Sequence, residues 1–124
     1  MLIFKYFKYE EFDDAPGTGR NMDNGFLLKL EEARIRAKIP FIITSGWRSK
    51  ETNERLIKEG YKASPNSSHL KGLAADIKCT NSADRLTIVK SLIDSGFKRI
   101  GISDKSNFIH VDLDESKAPA LWLY

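Results

Sequence analysis

The sequence predicts an α+β fold in which helices flank a small, largely antiparallel sheet. Segments with helical apolar spacing come early in the chain, and short β-branched or aromatic segments gather later. Strands and helices do not alternate regularly, which argues against a parallel sheet with crossover helices. The last two predicted strands are joined by a short link, which favours an antiparallel hairpin.

Three helices are predicted from apolar spacing and from the residues at their ends. The first covers 22–37, where apolar side chains recur at helical spacing, and Pro40 ends the region. Ser49 fits the N-cap position of a second helix, 50–59. A third helix covers 82–95. A glycine follows each of the last two helices, as is common at helix C-termini.

Four segments rich in β-branched and aromatic residues are predicted to be strands. They cover 41–45, 73–79, 99–102 and 107–113. Two polar stretches, 13–24 and 61–72, are rich in turn-forming residues and are predicted to be loops.

Side-chain alternation places polar residues of two strands on one face. Every second residue from Ile109 to Leu113 is apolar and is expected to face the core, so His110 lies on the opposite face. In the strand 73–79, the same alternation turns Asp76 away from the core. We therefore expect Asp76 and His110 to project from the same side of the sheet.

The two histidines of the chain are candidate metal ligands. His69 lies in the polar loop, seven residues before Asp76, and Gly72 allows a bend between them. Two imidazoles and one carboxylate suit Zn²⁺, and a catalytic zinc site keeps a fourth position for water. Spacing alone leaves two interpretations of His69, Asp76 and His110: ligands of one zinc ion, or polar residues with ordinary hydrogen bonds.

Several segments resemble one family of enzymes. The segment 67–76 (SSHLKGLAAD) fits the S-x-H-x-x-G-x-A-x-D pattern of the zinc D-alanyl-D-alanine carboxypeptidases (M15A-like) and related phage endolysin peptidases. The segments 45–49 (SGWRS) and 108–112 (FIHVD) resemble the parts of those proteins that carry an arginine and a third ligand. The resemblance extends from about Phe4 to Asp114.

This resemblance implies the compact fold shared by these peptidases and Hedgehog signalling domains, with one zinc ion held by His69, Asp76 and His110. It implies a zinc metallopeptidase that hydrolyses stem-peptide bonds of peptidoglycan, as a D,D-carboxypeptidase or an endopeptidase. Arg48 matches an arginine that binds substrate and stabilises the oxyanion. Ser67 matches the motif serine, which orders the loop or contacts substrate.

The general base is the point at which this chain departs from the family pattern. Many relatives carry Asp or Glu three residues before the third ligand, where this chain has Asn107. Asp112 is the first replacement candidate, because it shares a face with His110, and Asp104 in the preceding turn is the second. Asp112 can instead orient the histidine as a hydrogen-bond partner. The alternative function is a non-catalytic module that binds zinc or the cell wall.

Composition limits the remaining functions. The length of 124 residues fits one domain, expected to span 1–124. The net charge of +3 is compatible with a mildly basic surface or with attraction to a polyanion. Lysines and arginines are scattered, so we expect no nucleic-acid partner. Cys79, the single cysteine, is expected in the core, and no internal disulfide is possible. Trp47, Trp122 and Tyr124 are expected to pack, or to line a cleft that binds the wall.

The N-terminal stretch lacks the apolar length of a secretory signal, and no segment has the roughly 18 consecutive apolar residues of a transmembrane helix. We therefore expect a monomer that is made in the cytoplasm, does not insert stably into membranes and acts on the cell wall. A phage or prophage lysin fits these expectations, and a bacterial source remains open.

Overall fold

A computed structural model describes residues 4–61 and 63–124. Residues 1–3 of the stretch tested for a secretory signal and residue 62 of the predicted loop 61–72 lie outside the described residues. The strands are β1 (Ile43–Ser45), β2 (Ala74–Lys78), β3 (Arg99–Ser103), β4 (Phe108–Asp112) and β5 (Ala120–Leu123). The α-helices are α1 (Asn24–Ala37), α2 (Lys50–Lys58) and α3 (Ser82–Asp94). Three short 3₁₀ helices cover Tyr9–Phe12, Thr18–Asn21 and Ser68–Lys71.

The helices begin where side-chain oxygens accept hydrogen bonds from free backbone N–H groups. The Ser49 side chain accepts from the backbone N–H of Thr52 at the start of α2, as the sequence predicted. Asp23 caps α1 and Asn81 caps α3 in the same way. Among the described residues, none of the helices has the length and apolar character needed to cross a membrane.

The sheet contains five strands in the order β1-β2-β4-β3-β5. The pairs β1–β2, β2–β4 and β3–β4 are antiparallel, which confirms the predicted α+β class and the hairpin. The sequence did not predict β5, which pairs with β3 in the parallel direction and makes the sheet mixed. This strand is short, and its pairing depends on a partner about 20 residues away, so local periodicity carries no signal for it.

One face of the sheet packs into the core. Ala75 and Ile77 of β2 and Ile109 and Val111 of β4 are buried in the main hydrophobic cluster. Side chains of α1 and α3 complete that cluster, among them Phe26, Leu27, Leu30, Ile88 and Leu92. Full burial of such a side chain stabilises the fold by about 1.5–3 kcal/mol. Cys79 is buried in the same cluster, as predicted. The predicted alternation of the two strands is therefore confirmed, and their opposite face is left for polar residues.

Candidate metal centre and active site

His69 is positioned by the 3₁₀ helix Ser68–Lys71. The Ser67 side chain accepts a hydrogen bond from the His69 backbone N–H at 3.2 Å and fixes the start of this turn. Gly72 ends it in the left-handed conformation, with φ of 70°. A Cβ atom at this position would lie 2.4 Å from the carbonyl oxygen of Asn21. Glycine is therefore required twice over, by backbone conformation and by close packing.

Asp76 and His110 meet because β2 and β4 align them in register. Asp76 Oδ1 lies 3.0 Å from His110 Nδ1 and 3.3 Å from His69 Nε2. The three ligand atoms all lie within 4.8 Å of one another. His69, Asp76 and His110 are buried, with exposed fractions of 2%, 6% and 7%. The structure therefore brings together the three residues that the sequence predicted as metal ligands.

The outer nitrogen of each imidazole has an acceptor. His69 Nδ1 lies 2.7 Å from the carbonyl oxygen of Gly46, and His110 Nε2 lies 2.8 Å from Asp112 Oδ2. A carbonyl or carboxylate oxygen can only accept, so each outer nitrogen carries the proton. Without a cation, His110 Nδ1 can approach Asp76 Oδ1 at 3.0 Å only as a donor, whereas with a cation bound the neutral imidazoles would present the lone pairs of their inner nitrogens to it. The two inner nitrogens and the Asp76 carboxylate converge, and both imidazoles are fixed from behind, which fits a divalent cation of the zinc type.

The electrostatics of the cluster favour a positive charge at its centre. Burial alone would raise the pKa of Asp76, but the charge of His69 and hydrogen bonding with His110 hold this pKa well below its usual range. Burial alone would lower the pKa of His110, yet its hydrogen bonds with Asp112 and Asp76 raise it above the usual value. A divalent cation would supply the same positive charge as the protons on the histidines, and it would compete with those protons for the ring nitrogens.

Arg48 lies beside the cluster and is held from several sides. Its Nη2 is 3.4 Å from Asp76 Oδ2, and its Nε donates to Ser45 Oγ at 3.1 Å. Its Nη1 donates to Asn53 Oδ1 at 3.4 Å. The backbone N–H of Arg48 donates to the carbonyl oxygen of His69, which ties the two segments together. A fixed guanidinium next to the ligands can stabilise negative charge that develops on a substrate.

Both carboxylate oxygens of Asp112 accept hydrogen bonds from neighbouring residues. Its Oδ2 accepts from His110, and its Oδ1 accepts from Arg99 Nε at 2.8 Å and from the backbone N–H of Asp114 at 3.1 Å. Burial alone would raise the pKa of Asp112, but the hydrogen bond from His110 and the other partners outweigh burial, so the pKa lies below its usual value. A carboxylate with a lowered pKa and no free oxygen is a poor general base. The geometry supports the orienting role among the two roles considered for Asp112.

Asp104 does not reach the cluster. Its side chain is 92% exposed, and its Oδ1 pairs with Arg85 Nη2 at 3.1 Å. Asn107 occupies the left-handed region, with φ of 55°, in the turn that precedes β4. Asparagine and aspartate adopt this conformation more readily than glutamate, so the tight turn disfavours glutamate at position 107. The geometry weighs against Asp104 as the general base.

Two cavities adjoin the cluster. The larger cavity, of about 700 Å³, is lined in part by Trp47, and the smaller, of about 220 Å³, is lined by both ligand histidines and Ser67. Five residues line both cavities and therefore mark their junction: Arg48, Ala63, Asp76, Phe108 and Tyr124. The sequence did not predict Phe108 or Arg99 as site residues. Alternation does place Phe108 on the face of His110, which was the one signal available.

Two histidines and an aspartate converge beside a cavity and a fixed arginine, and together they form a candidate centre for metal-dependent hydrolysis. The family model described as Peptidase M15 matches residues 5–112. The chain therefore belongs to the peptidase M15 family, which confirms the resemblance seen in its motifs and makes the protein a hydrolase.

Comparison with solved structures supports the fold. The chain is similar to the Serratia marcescens L-Ala D-Glu endopeptidase ChiX, with a TM-score of 0.62 and 17% sequence identity. The match covers 82% of this chain and 86% of that one. A comparison with curated proteins finds no match.

Proposed function

We propose that this peptidase depends on zinc and acts as an endopeptidase on the stem peptides of peptidoglycan. The observation that carries the proposal is the convergence of His69, Asp76 and His110, with both imidazoles oriented by acceptors behind them. Two imidazoles and a carboxylate form a common donor set of catalytic zinc sites. When bound, zinc supplies Lewis-acid chemistry, which lowers the pKa of water and polarises a carbonyl group.

The other residues of the site have separate roles in this proposal. Arg48 lies at the junction of the two cavities and binds the oxyanion that forms on the scissile carbonyl. Asp112 holds the His110 ring and keeps its proton on the outer nitrogen. Ser67 orders the His69 turn and lines the smaller cavity, where it can contact substrate.

Proton transfer is the weakest part of the site. Of the described residues that line the smaller cavity, the carboxylates are Asp76 and Asp112. Asp76 faces the imidazoles and Arg48, and Asp112 accepts from three donors. Asp112 can take a proton only by giving up one of these hydrogen bonds. We therefore expect slower turnover than in a peptidase with a free carboxylate at this point.

The shape of the site supports cleavage within a peptide. A cavity lies on each side of the junction, so substrate can extend in both directions from the cluster. The similar ChiX structure is named for the L-Ala D-Glu bond, which makes this bond the first to test. A D-Ala-D-Ala bond and an interpeptide bridge are the other candidates.

The test is digestion of purified peptidoglycan, followed by mass spectrometry of the released muropeptides. We expect zinc-dependent release, loss of activity with a chelator and recovery when zinc is added back. Asp76→Asn should abolish both zinc binding and release. Asp94→Asn is the matched control, because this carboxylate lies on α3 and pairs with Lys90. Full activity in the presence of chelator would contradict the proposal.

A second candidate function is a wall-binding or zinc-binding module that no longer cuts. The observation in its favour is that neither candidate base is available in the site. Asp112 accepts hydrogen bonds from His110 and Arg99, and Asp104 faces solvent away from the cluster. This candidate predicts zinc binding and sedimentation with peptidoglycan, but no released muropeptides after long digestion.

A further inference from the structure

We infer that the hydroxyl group of Tyr124 donates a hydrogen bond to the substrate oxyanion, as a second donor beside Arg48. The inference rests on the proposed peptidase function and adds a catalytic residue to it. Three observations carry it: the wall that β5 builds, the position of Tyr124 at the cavity junction, and the chemistry of the residues found there.

The strand β5 builds a wall next to the metal ligands. Its parallel pairing with β3 places Trp122 opposite Gly101, and Gly101 is itself opposite His110 in β4. A Cβ atom on Gly101 would lie 2.5 Å from the Trp122 indole. The absence of a side chain therefore allows the indole to lie over the sheet, with its ring centroid 5.5 Å from that of His110.

Tyr124 extends this wall. It lies two residues after Trp122, and its backbone N–H continues the β5 pairing by donating to the Ile102 carbonyl at 3.0 Å. Its ring centroid is 5.1 Å from that of Phe108 and 6.1 Å from that of Trp122. The phenol is thus held between two aromatic rings, and a held side chain loses little freedom when substrate binds.

The residues at the cavity junction differ in what they can offer a substrate. Of the five that line both cavities, Asp76 is an acceptor, Ala63 and Phe108 are apolar, and Arg48 and Tyr124 carry side-chain donors. A phenol keeps its proton at neutral pH, since its ordinary pKa is about 10. Burial and the charge of Asp76 raise the pKa of Tyr124 to about 12.

The Tyr124 hydroxyl is placed to donate at the junction of the two cavities. A phenol O–H can donate its hydrogen to an acceptor in the junction. A carbonyl oxygen that gains negative charge there is the acceptor whose bond strengthens during reaction.

The experiment compares Tyr124→Phe with the wild type on the muropeptide that the wild type cleaves. Phenylalanine keeps the ring contacts and removes the hydroxyl alone. We expect kcat to fall by about tenfold or more, as for loss of an oxyanion donor, with KM nearly unchanged. Tyr6→Phe is the matched control, since Tyr6 packs with Arg34 and lines neither cavity. Its kcat should equal that of the wild type.

Two further measurements separate the possible failures. Zinc affinity of Tyr124→Phe should equal that of the wild type, which shows that the site is intact. A phosphinate analogue of the cleaved peptide should bind the variant about tenfold more weakly, because it mimics the charged transition state. A kcat within twofold of the wild type, or a change confined to KM, would overturn the inference. Absence of zinc-dependent turnover in the wild type would instead overturn the proposed function.

Discussion

Asp112→Asn separates the two roles that the sequence left open for this residue. Asparagine has the same shape but only one acceptor oxygen, whereas Asp112 accepts from both His110 and Arg99. The variant can satisfy one of these donors and must turn its amide NH₂ group toward the other. A buried donor left without a partner costs about 1–3 kcal/mol. The wild-type arrangement therefore cannot be kept at His110 and Arg99 together.

The size of the effect follows from the orienting role. Loss of a hydrogen-bond partner behind a metal-bound histidine typically weakens metal affinity by about 10–100-fold. This corresponds to about 1.4–2.7 kcal/mol in the free energy of zinc binding. At saturating zinc, the variant should recover most of the wild-type kcat, because the ligands themselves are unchanged.

The assay is a zinc titration in competition with a chromophoric chelator, followed by turnover measured at saturating zinc. Asp94→Asn is the matched control, since it makes the same change on an exposed part of α3 and should leave both quantities unaltered. Zinc affinity equal to the wild type, together with a kcat lowered by about 100-fold or more, would identify Asp112 as the general base and refute the orienting role.

Three further predictions concern other parts of the molecule. Asp104→Asn should leave kcat within about twofold of the wild type, because this side chain faces solvent, and a steady-state assay on muropeptides checks it. Gly101→Ala should lower the free energy of unfolding in urea by about 1–3 kcal/mol, because the new Cβ meets the Trp122 indole. Burial raises the pKa of Asp114, but hydrogen bonds from Ser116, Ser68 and Lys71 hold it well below its usual range. A lowered folded-state pKa stabilises the fold above the unfolded value of about 3.9, and this contribution is lost on acidification below it. Asp114→Asn should therefore lower stability in urea at neutral pH, and its difference from the wild type should shrink in acid.

The sequence predicted those parts of the site that depend on local periodicity. Alternation along two strands placed Asp76 and His110 on one face, because a strand repeats every two residues wherever it pairs. The turn that carries His69 was predicted as a loop, and its convergence on Asp76 followed from the short separation and from Gly72. The family resemblance then supplied the ligand set, and the structure brings its members together.

Other features depend on register and on turn geometry, which local patterns do not encode. The partnership of Arg99 with Asp112 arises from the alignment of β3 with β4. The outward direction of Asp104 is set by the turn between these strands, where no periodicity applies. Tyr124 enters the site because β5 pairs with a strand about 20 residues earlier, and sequence analysis could name it only as one of several aromatic residues.

The two imidazoles are oriented by acceptors of different kinds. His69 is oriented by the main-chain carbonyl of residue 46, and a side chain at that position would meet Phe12 at 2.5 Å. No exchange of side chains removes a peptide oxygen, so this half of the centre stays in place as long as residue 46 remains glycine. His110 is oriented by the replaceable carboxylate of Asp112. Natural variation or protein engineering can therefore tune metal retention through one position while the other half stays constant.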